Sequence, residues 1–517
     1  MQEGKFLRRS SWLALGALMT ASALVFWLFD ALPFQDLPAH AGLIALRHRL
    51  AASPYERRFF VLAPHLGPYS LFRALGDTLL PLFGPVGAVR AIATLPVVAI
   101  PLALLWARRR LHGDRMPTAA YFGVSLSFGF MTLLGFASYL LGVAALIVGL
   151  TAWLELLAAV DARDRRARRR EAAVGCVAPL LFIAHGHAFA IFIALAVVCA
   201  LATGPRWARI VRLRALGPAL LLAAWVAWTQ RASVIPPGSA PPPNQPLEPH
   251  FQGVFDKLSL LVTPTLLTRW GLDVLVGLVL WAVLVGGVVA TARSARNDRE
   301  QDARHGHTRA LLACLVALSA AFLALPHSIG WFGFVDGRLV LVILLLAVMA
   351  VRHDALGPRL ARVYVRTAPL AACTMTAIAL VASWLFQSEA RGWRAVLAHV
   401  PAEARLLNLP IEPNSRIFTA HPFVHYDKLV LAERPVVVSD VWFHQGSALY
   451  PTPENPALRL PASYSESDLR RIDWPAYRLQ DWDYVLFRTR PDSVEPAVPE
   501  RLAFAAHEGG WWLFRTR

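Results

Sequence analysis

The segment 29–42, FDALPFQDLPAHAG, places two aspartates and a histidine directly after the first long apolar run of the chain. Asp36 in this position is hydrated enough to ionise and lies near the level of lipid headgroups, so it is a candidate general base for a hydroxyl proton. Because a proline follows shortly after Asp36, we expect non-helical backbone there, with Asp30 and His40 nearby. Two other roles stay open: a solvated acid at a helix end, or a cap for a helix that begins near His40.

The segment 326–338, PHSIGWFGFVDGR, combines basic and acidic side chains in front of another apolar run. The planar guanidinium of an arginine can bind two phosphate oxygens at once. We therefore expect Arg338 to bind phosphate at the outer membrane edge, with His327 and Asp336 as further substrate contacts. The alternative is an ion pair between Asp336 and Arg338.

Five more side chains are candidates for substrate contact. Tyr139 and His187 are placed to line a cavity for a headgroup, or to make polar contacts inside a helix bundle. Arg269 is placed to contact a phosphate, or to extend its charge to the membrane surface. His421 and His425 stand among aromatic residues, a composition that suits sugar binding as well as a protein core.

Lipid must cover much of this chain, because 56% of its 517 residues are hydrophobic and 16% are charged, with a mean hydropathy of +0.47. A soluble domain is usually about 25% charged. A helix needs roughly 20 apolar residues to cross a bilayer, which predicts about eleven spans. They lie near 11–30, 87–107, 117–135, 138–160, 172–186, 188–203, 215–231, 268–292, 308–326, 338–351 and 367–386.

Arginine clusters fill alternate gaps between these runs, and the positive-inside rule assigns those gaps to the cytoplasm. The N-terminus is then cytoplasmic, while the first outer loop, residues 30–86, and the C-terminal region face outward. The net charge of +17 therefore comes from arginines that mark the cytoplasmic loops. We expect no nucleic-acid partner. The excess of Arg and Ala is typical of a GC-rich bacterial genome. We expect a multi-pass protein of the bacterial inner membrane, surrounded by membrane lipids, with a periplasmic C-terminal region.

The composition changes near residue 387, where the long apolar runs stop. We predict a helical transmembrane domain over 1–386 and a small α/β domain over 387–517. Its predicted strands are 416–419, 435–439, 484–488, 502–506 and 511–515, and its predicted helices are 389–400, 425–433 and 465–472. Within the first outer loop, the segment 60–84 is predicted as an interfacial helix, because Arg73 and Asp77 are costly inside a bilayer.

Several sites are not indicated by the sequence. The four cysteines lie inside apolar runs without metal-ligand spacing, which predicts neither a disulfide framework nor a metal site. The chain has no phosphate-binding loop and no dinucleotide-binding glycine motif, so ATP-driven transport by this chain alone is not indicated. We therefore predict no cofactor, while a requirement for a divalent metal ion stays open.

The order of one helix, an acidic outer loop, many spans and a soluble outer domain resembles the GT-C glycosyltransferases. Those integral-membrane enzymes use polyprenyl-phosphate sugars. In their protein mannosyltransferase and aminoarabinose transferase branches, the catalytic aspartate lies in a Pro-x-x-x-Asp-Glu pattern, and the matching stretch here is Pro33-Phe34-Gln35-Asp36-Leu37. The aspartate comes one position early and Leu37 replaces the glutamate, so the chain resembles a more distant bacterial branch.

The resemblance implies that Asp36 is the catalytic base and that Arg338 and Arg269 hold the phosphate of a lipid-linked sugar donor. The acceptor would be a glycan, lipid or protein of the cell envelope, and the anomeric carbon would be inverted. Two other classes stay open: a transporter or flippase for a lipid-linked or small polar substrate, and a non-catalytic membrane scaffold. The enzyme requires Asp36 and Arg338 to face one site.

Overall fold

The computed structural model describes residues 2–63, 66–114, 116–161, 166–203, 210, 212–231, 248–297, 303–330, 332–441, 448–466 and 472–517. The helices in this part of the chain are α1 (Gln2–Leu24), α2 (Leu37–Arg49), α3 (Pro54–Phe59), α4 (Ser70–His112), α5 (Thr118–Leu126), α6 (Phe130–Leu133), α7 (Ala137–Asp161), α8 (Ala167–Ala184), α9 (Gly186–Ala202), α10 (Gly217–Arg231), α11 (Val254–Ser259), α12 (Leu272–Asn297), α13 (Ala303–Ala324), α14 (Gly337–Ala350), α15 (Pro358–Ala390), α16 (Trp393–Leu397) and α17 (Lys428–Glu433).

Each predicted apolar run coincides with at least one of these helices. Among the described residues, α4, α7, α12, α13 and α15 are long and apolar enough to cross a membrane. Shorter apolar stretches lie in α1, α9 and α14. These helices confirm a membrane protein, and the number of crossings stays a prediction.

The predicted span over 117–135 is wrong as a continuous helix. Gly129 has extended backbone (φ −156°, ψ −168°) and separates α5 from α6. The amide of Phe130 donates to the carbonyl of Thr263 at 2.9 Å, so the chain leaves the helix to contact another segment. A Cβ atom at residue 129 would lie 2.2 Å from the carbonyl oxygen of Pro264, which only glycine avoids.

The first outer loop contains α2, α3 and a short strand, β1 (Phe60–Leu62). The predicted interfacial helix over 60–84 is therefore wrong at its start, because helix α4 begins only at Ser70. It joins the following span through a kink at Gly84 (φ +67°). Helix α2 packs between the start of α4 and helix α17, and this close packing depends on small residues.

The C-terminal domain contains a five-stranded sheet in the order β5, β4, β7, β9, β8 within the described residues. Its strands are β4 (Arg405–Pro410), β5 (Val437–Val438), β7 (Tyr484–Arg488), β8 (Leu502–Glu508) and β9 (Trp511–Thr516). Strand β4 pairs in parallel with β5 and β7, whereas β9 pairs antiparallel with β7 and β8. The remaining strands, β2 (Pro249–His250), β3 (Ser328–Ile329) and β6 (Leu449–Pro451), lie outside this sheet.

The predicted strands at 435–439, 484–488, 502–506 and 511–515 are confirmed, and helix 425–433 appears as α17. The predicted strand at 416–419 is wrong, because Phe418 forms only an isolated bridge with Thr268. Helix 389–400 is replaced by the end of α15 and by α16, which are separated by Gly392 in the left-handed region (φ +89°). Most of the predicted helix 465–472 lies outside the described residues.

The first outer loop and the C-terminal domain share one hydrophobic core. Strand β1 pairs antiparallel with β6, so the loop adds a strand to the later domain. Tyr426 stacks on Trp511 with ring centres 5.5 Å apart, and its hydroxyl donates to the carbonyl of Leu32 at 3.0 Å. The two regions are therefore held as one packed body.

Replacing Gly129 by Ala is expected to lower the thermal unfolding temperature, because the new methyl group meets the Pro264 carbonyl at 2.2 Å. Thermal unfolding of detergent-solubilised protein measures the change. Gly16→Ala is the matched control, since a Cβ atom there meets nothing within 4 Å. An equal unfolding temperature for both variants would contradict the tight contact at residue 129.

Candidate active site

Asp36 lies where the first outer loop enters helix α2. It is the residue before the helix, with helical backbone angles (φ −89°, ψ −10°), and its side chain makes no capping hydrogen bond. The expected non-helical backbone and the alternative role as a cap are therefore both wrong. Its amide donates to the carbonyl of Leu134 at 3.1 Å. Gly135 (φ +85°) packs so close that a Cβ atom would lie 3.0 Å from Asp36.

The carboxyl group of Asp36 is nearly buried, with 13% of its side chain exposed. Burial raises the pKa of Asp36 to about 8, although a hydrogen bond with Gln35 and the positive charge of Arg338 act in the opposite direction. A pKa near neutrality suits a general base, which must accept a proton and release it again. Gly135 packs against Asp36, and the guanidinium of Arg338 lies 4.8 Å from the ring centre of the next residue, Phe136, so the two principal predicted residues lie in one region.

A network of buried charged side chains from the C-terminal domain lies next to Asp36. The Nε2 atom of His425 is 3.7 Å from Asp36 Oδ1, and its Nδ1 atom is 3.0 Å from Glu466 Oε2. The Lys428 ammonium group donates to both oxygens of Glu466, at 2.6 and 2.7 Å. His425, Lys428 and Glu466 are all buried. His425 was predicted to contact substrate, and the structure places it behind Asp36.

Lys428 and Glu466 were not among the predicted site residues. One signal was available, because Lys5, Lys257 and Lys428 are the only lysines in a chain rich in arginine. Lys257 and Lys428 are both buried in ion pairs. No comparable pattern singles out Glu466, whose partners come from other parts of the chain.

Arg338 is a buried cation in an aromatic environment. Its guanidinium carbon lies 4.1 Å from the ring centre of Phe332 and 4.8 Å from that of Phe136. In the described part of the chain, Nε and Nη1 have no hydrogen-bond partner. A buried cation without an acceptor is costly, so this arrangement favours a bound anion.

Asp336 and His327 position the start of helix α14, and their contact with substrate stays a prediction. Asp336 is fully buried and accepts a hydrogen bond from Gly337 N at 2.7 Å. His327 Nδ1 lies 2.9 Å from Asp336, and Lys257 Nζ lies 3.4 Å from it. The alternative ion pair between Asp336 and Arg338 is therefore replaced by a different set of partners.

Tyr69, His185, His187 and Tyr139 lie beside Arg338. Tyr69 interacts electrostatically with Arg338 and with Asp36, and its hydroxyl lies 3.3 Å from His185 Nε2. The ring of His187 is 6.3 Å from that of Tyr139. The Tyr139 hydroxyl donates to the carbonyl of Arg338 at 2.6 Å. Tyr139 and His187 therefore lie in the region of Arg338, and Tyr139 also fixes its backbone; their contact with a headgroup stays a prediction.

His40 and His421 lie near Asp36. His40 is one helical turn further along α2, and its ring packs on Phe72 at 4.5 Å. Burial, together with His425, lowers the pKa of His40 to about 3, so it is neutral. The amide of His421 donates to Gln35 Oε1 at 3.2 Å, next to Asp36.

The Arg269 side chain is exposed just before helix α12. Its Nε atom donates to the carbonyls of Ser415 at 2.9 Å and Phe418 at 3.1 Å. These bonds attach the segment before α12 to the C-terminal domain. These bonds use only the Nε atom, so phosphate binding by Arg269 stays a prediction.

No group of three or more His, Cys, Asp or Glu side chains is arranged to hold a metal ion among the described residues.

Two solved structures have a similar fold. ArnT from Cupriavidus metallidurans, bound to undecaprenyl phosphate, has a TM-score of 0.57 and 15% identity, with 97% of each chain covered. The arabinofuranosyltransferase AftD from Mycobacteria has a TM-score of 0.50 and 17% identity, covering 98% of this chain and 40% of AftD. The chain thus spans less than half the length of AftD. No family model and no curated protein sequence matches it.

The pH dependence of stability is expected to report the burial of Asp36. Because its pKa is raised from 3.8 to about 8, the protonated carboxyl stabilises the fold below about pH 4, and this contribution is lost as pH rises to about 8. Between about pH 4 and 8, each increase of one pH unit lowers the free energy of unfolding by up to about 1.4 kcal/mol. The unfolding temperature of Asp36→Asn should therefore rise relative to wild type between pH 5 and 8.

Asp30→Asn is the control for this measurement, because the Asp30 side chain is 57% exposed. Its unfolding temperature should follow that of wild type across the same range. If the difference in unfolding temperature between wild type and Asp36→Asn does not change with pH, burial does not raise the pKa of Asp36.

Proposed function

We propose that this chain, which has the fold of the GT-C glycosyltransferases, transfers a sugar from a polyprenyl-phosphate donor to an acceptor hydroxyl outside the cytoplasm. The single observation that carries the proposal is that Gly135 packs against Asp36 while the Arg338 guanidinium lies 4.8 Å from the ring centre of the next residue, Phe136. The Nε and Nη1 atoms of Arg338 have no partner among the described residues. The Asp36 carboxyl can accept a proton, and the Arg338 guanidinium can hold a phosphate.

In the proposed reaction, the acceptor oxygen forms a bond to the anomeric carbon as the bond from that carbon to the phosphate oxygen breaks. The electron pair leaves with the lipid phosphate, whose charge Arg338 stabilises. The hydroxyl proton moves to Asp36. Attack from the face opposite the phosphate inverts the anomeric carbon.

The fold and the lipid bound to ArnT support the choice of donor class. We place the protein in a bacterial inner membrane with its C-terminal domain in the periplasm, on the basis of the arginine distribution. The acceptor belongs to the cell envelope: a glycan, a lipid or a protein. The domain division at residue 386/387 is part of the same proposal, although helix α15 continues to Ala390.

Replacing Asp36 by Asn is expected to lower sugar transfer by roughly 100-fold or more, because the amide cannot accept the hydroxyl proton. The assay incubates protein in lipid nanodiscs with a panel of undecaprenyl-phosphate pentoses and hexoses and with cell-envelope extract, and it measures labelled sugar on the acceptor. Wild-type activity should rise with pH up to about 8, as Asp36 ionises.

Asp30→Asn is the matched control, because Asp30 lies in the same loop but is exposed and paired with Arg394. It should keep wild-type activity. Full transfer by a folded Asp36→Asn variant would remove Asp36 from the mechanism. Movement of the donor across a vesicle bilayer without transfer would favour the flippase alternative.

Replacing Arg338 by Gln is expected to weaken binding of undecaprenyl phosphate at least about tenfold, because the anion loses a charged hydrogen-bond partner. Native mass spectrometry of protein in lipid nanodiscs measures the bound lipid. Arg394→Gln is the control, since Arg394 is 64% exposed and already paired with Asp30. Equal lipid binding by both variants would show that Arg338 does not hold the phosphate.

A further inference from the structure

A chain of polar side chains leads from Asp36 into the C-terminal domain. It runs from Asp36 to His425 over 3.7 Å, from His425 to Glu466 over 3.0 Å, and from Glu466 to Lys428 over 2.6 Å. His425, Glu466 and Lys428 are between 2% and 6% exposed. Bulk water therefore does not supply protons to these groups freely, and their mutual contacts decide where the protons lie.

The contacts determine which nitrogen of His425 carries a proton. Burial alone would raise the pKa of Glu466, but the charge of Lys428 and the hydrogen bond with His425 lower it below its ordinary value. Glu466 is therefore a carboxylate, which can only accept hydrogen bonds. The Nδ1 atom of His425 must donate to it, so the Nε2 atom of a neutral ring presents its lone pair to Asp36.

Three further side chains, Asn408, Asp440 and His40, surround His425 and Glu466. Asn408 Nδ2 donates to the carbonyl of Val424 at 3.0 Å and to Glu466 at 3.3 Å, which holds the carboxylate in place. Asp440 interacts with His425, and burial raises the pKa of Asp440 to about 6, so it is largely ionised at neutral pH. His40, from helix α2, is neutral and adds no repulsion.

Two further ionisable side chains, Lys428 and Asp427, belong to the same cluster. Lys428 is positive and is shared between Glu466 and Asp427. Asp427 is fully buried, and burial raises its pKa well above the ordinary value. Asp440 and Glu466 therefore supply the negative charge that a protonated His425 requires, with Lys428 offsetting one of them.

We propose that His425 is a positioning residue that takes the proton from Asp36 during sugar transfer. This inference rests on the proposed function. Asp36 accepts the proton of the acceptor hydroxyl as the new bond to the anomeric carbon forms and the phosphate leaves with its electron pair. The proton then moves from Asp36 to His425 Nε2, which restores the Asp36 carboxylate. Glu466 stabilises the imidazolium through Nδ1, and the proton leaves to solvent after the product departs.

Through His425, the C-terminal domain thereby supplies a proton acceptor for the sugar transfer at Asp36. His425 lies 389 positions after Asp36 in the chain, and only the packing of α2 against α17 brings them together. The domain thus has a chemical role besides any contact with the acceptor.

His425→Gln tests the inference in the transfer assay with undecaprenyl-phosphate sugars. The variant should lower kcat roughly 10- to 100-fold at pH 7 with an unchanged KM for the donor, because the proton stays on Asp36. Its pH profile should also differ from that of wild type, because the proton on Asp36 must then leave directly to solvent. His399→Gln is the control, since His399 is exposed and bonds only to the Ala395 carbonyl at 3.0 Å among the described contacts.

A double-mutant comparison separates this role from a structural one. If His425 acts through Asp36, His425→Gln should have no further effect on kcat in an Asp36→Asn background. A purely structural defect would instead add to the loss and lower the unfolding temperature. Unchanged kcat and pH profile in His425→Gln, or additive losses, would overturn the inference while leaving Asp36 as the base. Full activity of Asp36→Asn would overturn the proposed function itself.

Discussion

The packing of helix α2 between α4 and α17 is the contact on which the arrangement of the site depends. A Cβ atom at Gly42 would lie 2.9 Å from the Lys428 carbonyl, so the two helices approach as closely as a glycine allows. At the other end of α2, the Arg49 guanidinium donates to the Leu431 carbonyl at 2.6 Å and to Glu56 at 2.8 Å. Carbonyl groups at the end of α17 are thereby satisfied by a positive charge.

This packing brings together Asp36 and Lys428, which are the two ends of the chain of polar side chains described above. The first residue of α17 is Lys428, and the residue before α2 is Asp36. When the two helices lie side by side, the buried cation of one and the buried carboxyl of the other must share a single region, with His425 between them. Small shifts of α17 would change the electrostatic environment of Asp36, so the domain contact and the chemistry are coupled.

The principal chemical groups could be predicted from the sequence, whereas their partners could not. Asp36 and Arg338 stand at the ends of apolar runs, where a charged residue is conspicuous. Asp336 also carried a sequence signal that pointed to its observed role, because an aspartate in front of an apolar helix is a common N-cap. Glu466 has no local signature, since its contacts with His425 and Lys428 arise only from tertiary packing.

The secondary structure shows the same division between local and long-range information. The hairpin at Gly509 was predictable because its strands are adjacent and its turn needs a positive φ angle (+60°). Strand β4 was missed because its sequence RLLNLP is nearly continuous in apolar residues and lacks the alternation of a half-exposed strand. It lies in the interior of the sheet with parallel neighbours on both sides, where such a pattern is usual. The break at Gly129 depends on a contact with residues 263–264 that no local pattern indicates.

The electrostatic environment of Asp36 explains why a proton acceptor from the C-terminal domain matters. In the free protein, the positive charge of Arg338 lowers the pKa of Asp36 against the effect of burial. On the proposed function, a lipid phosphate bound to Arg338 would cancel that charge, and the pKa of Asp36 would rise further. The carboxylate would then be hardest to form at the moment when it is needed as a base. His425 Nε2 lies 3.7 Å from Asp36 Oδ1. On the inference above, it removes the proton that the raised pKa would otherwise keep on Asp36.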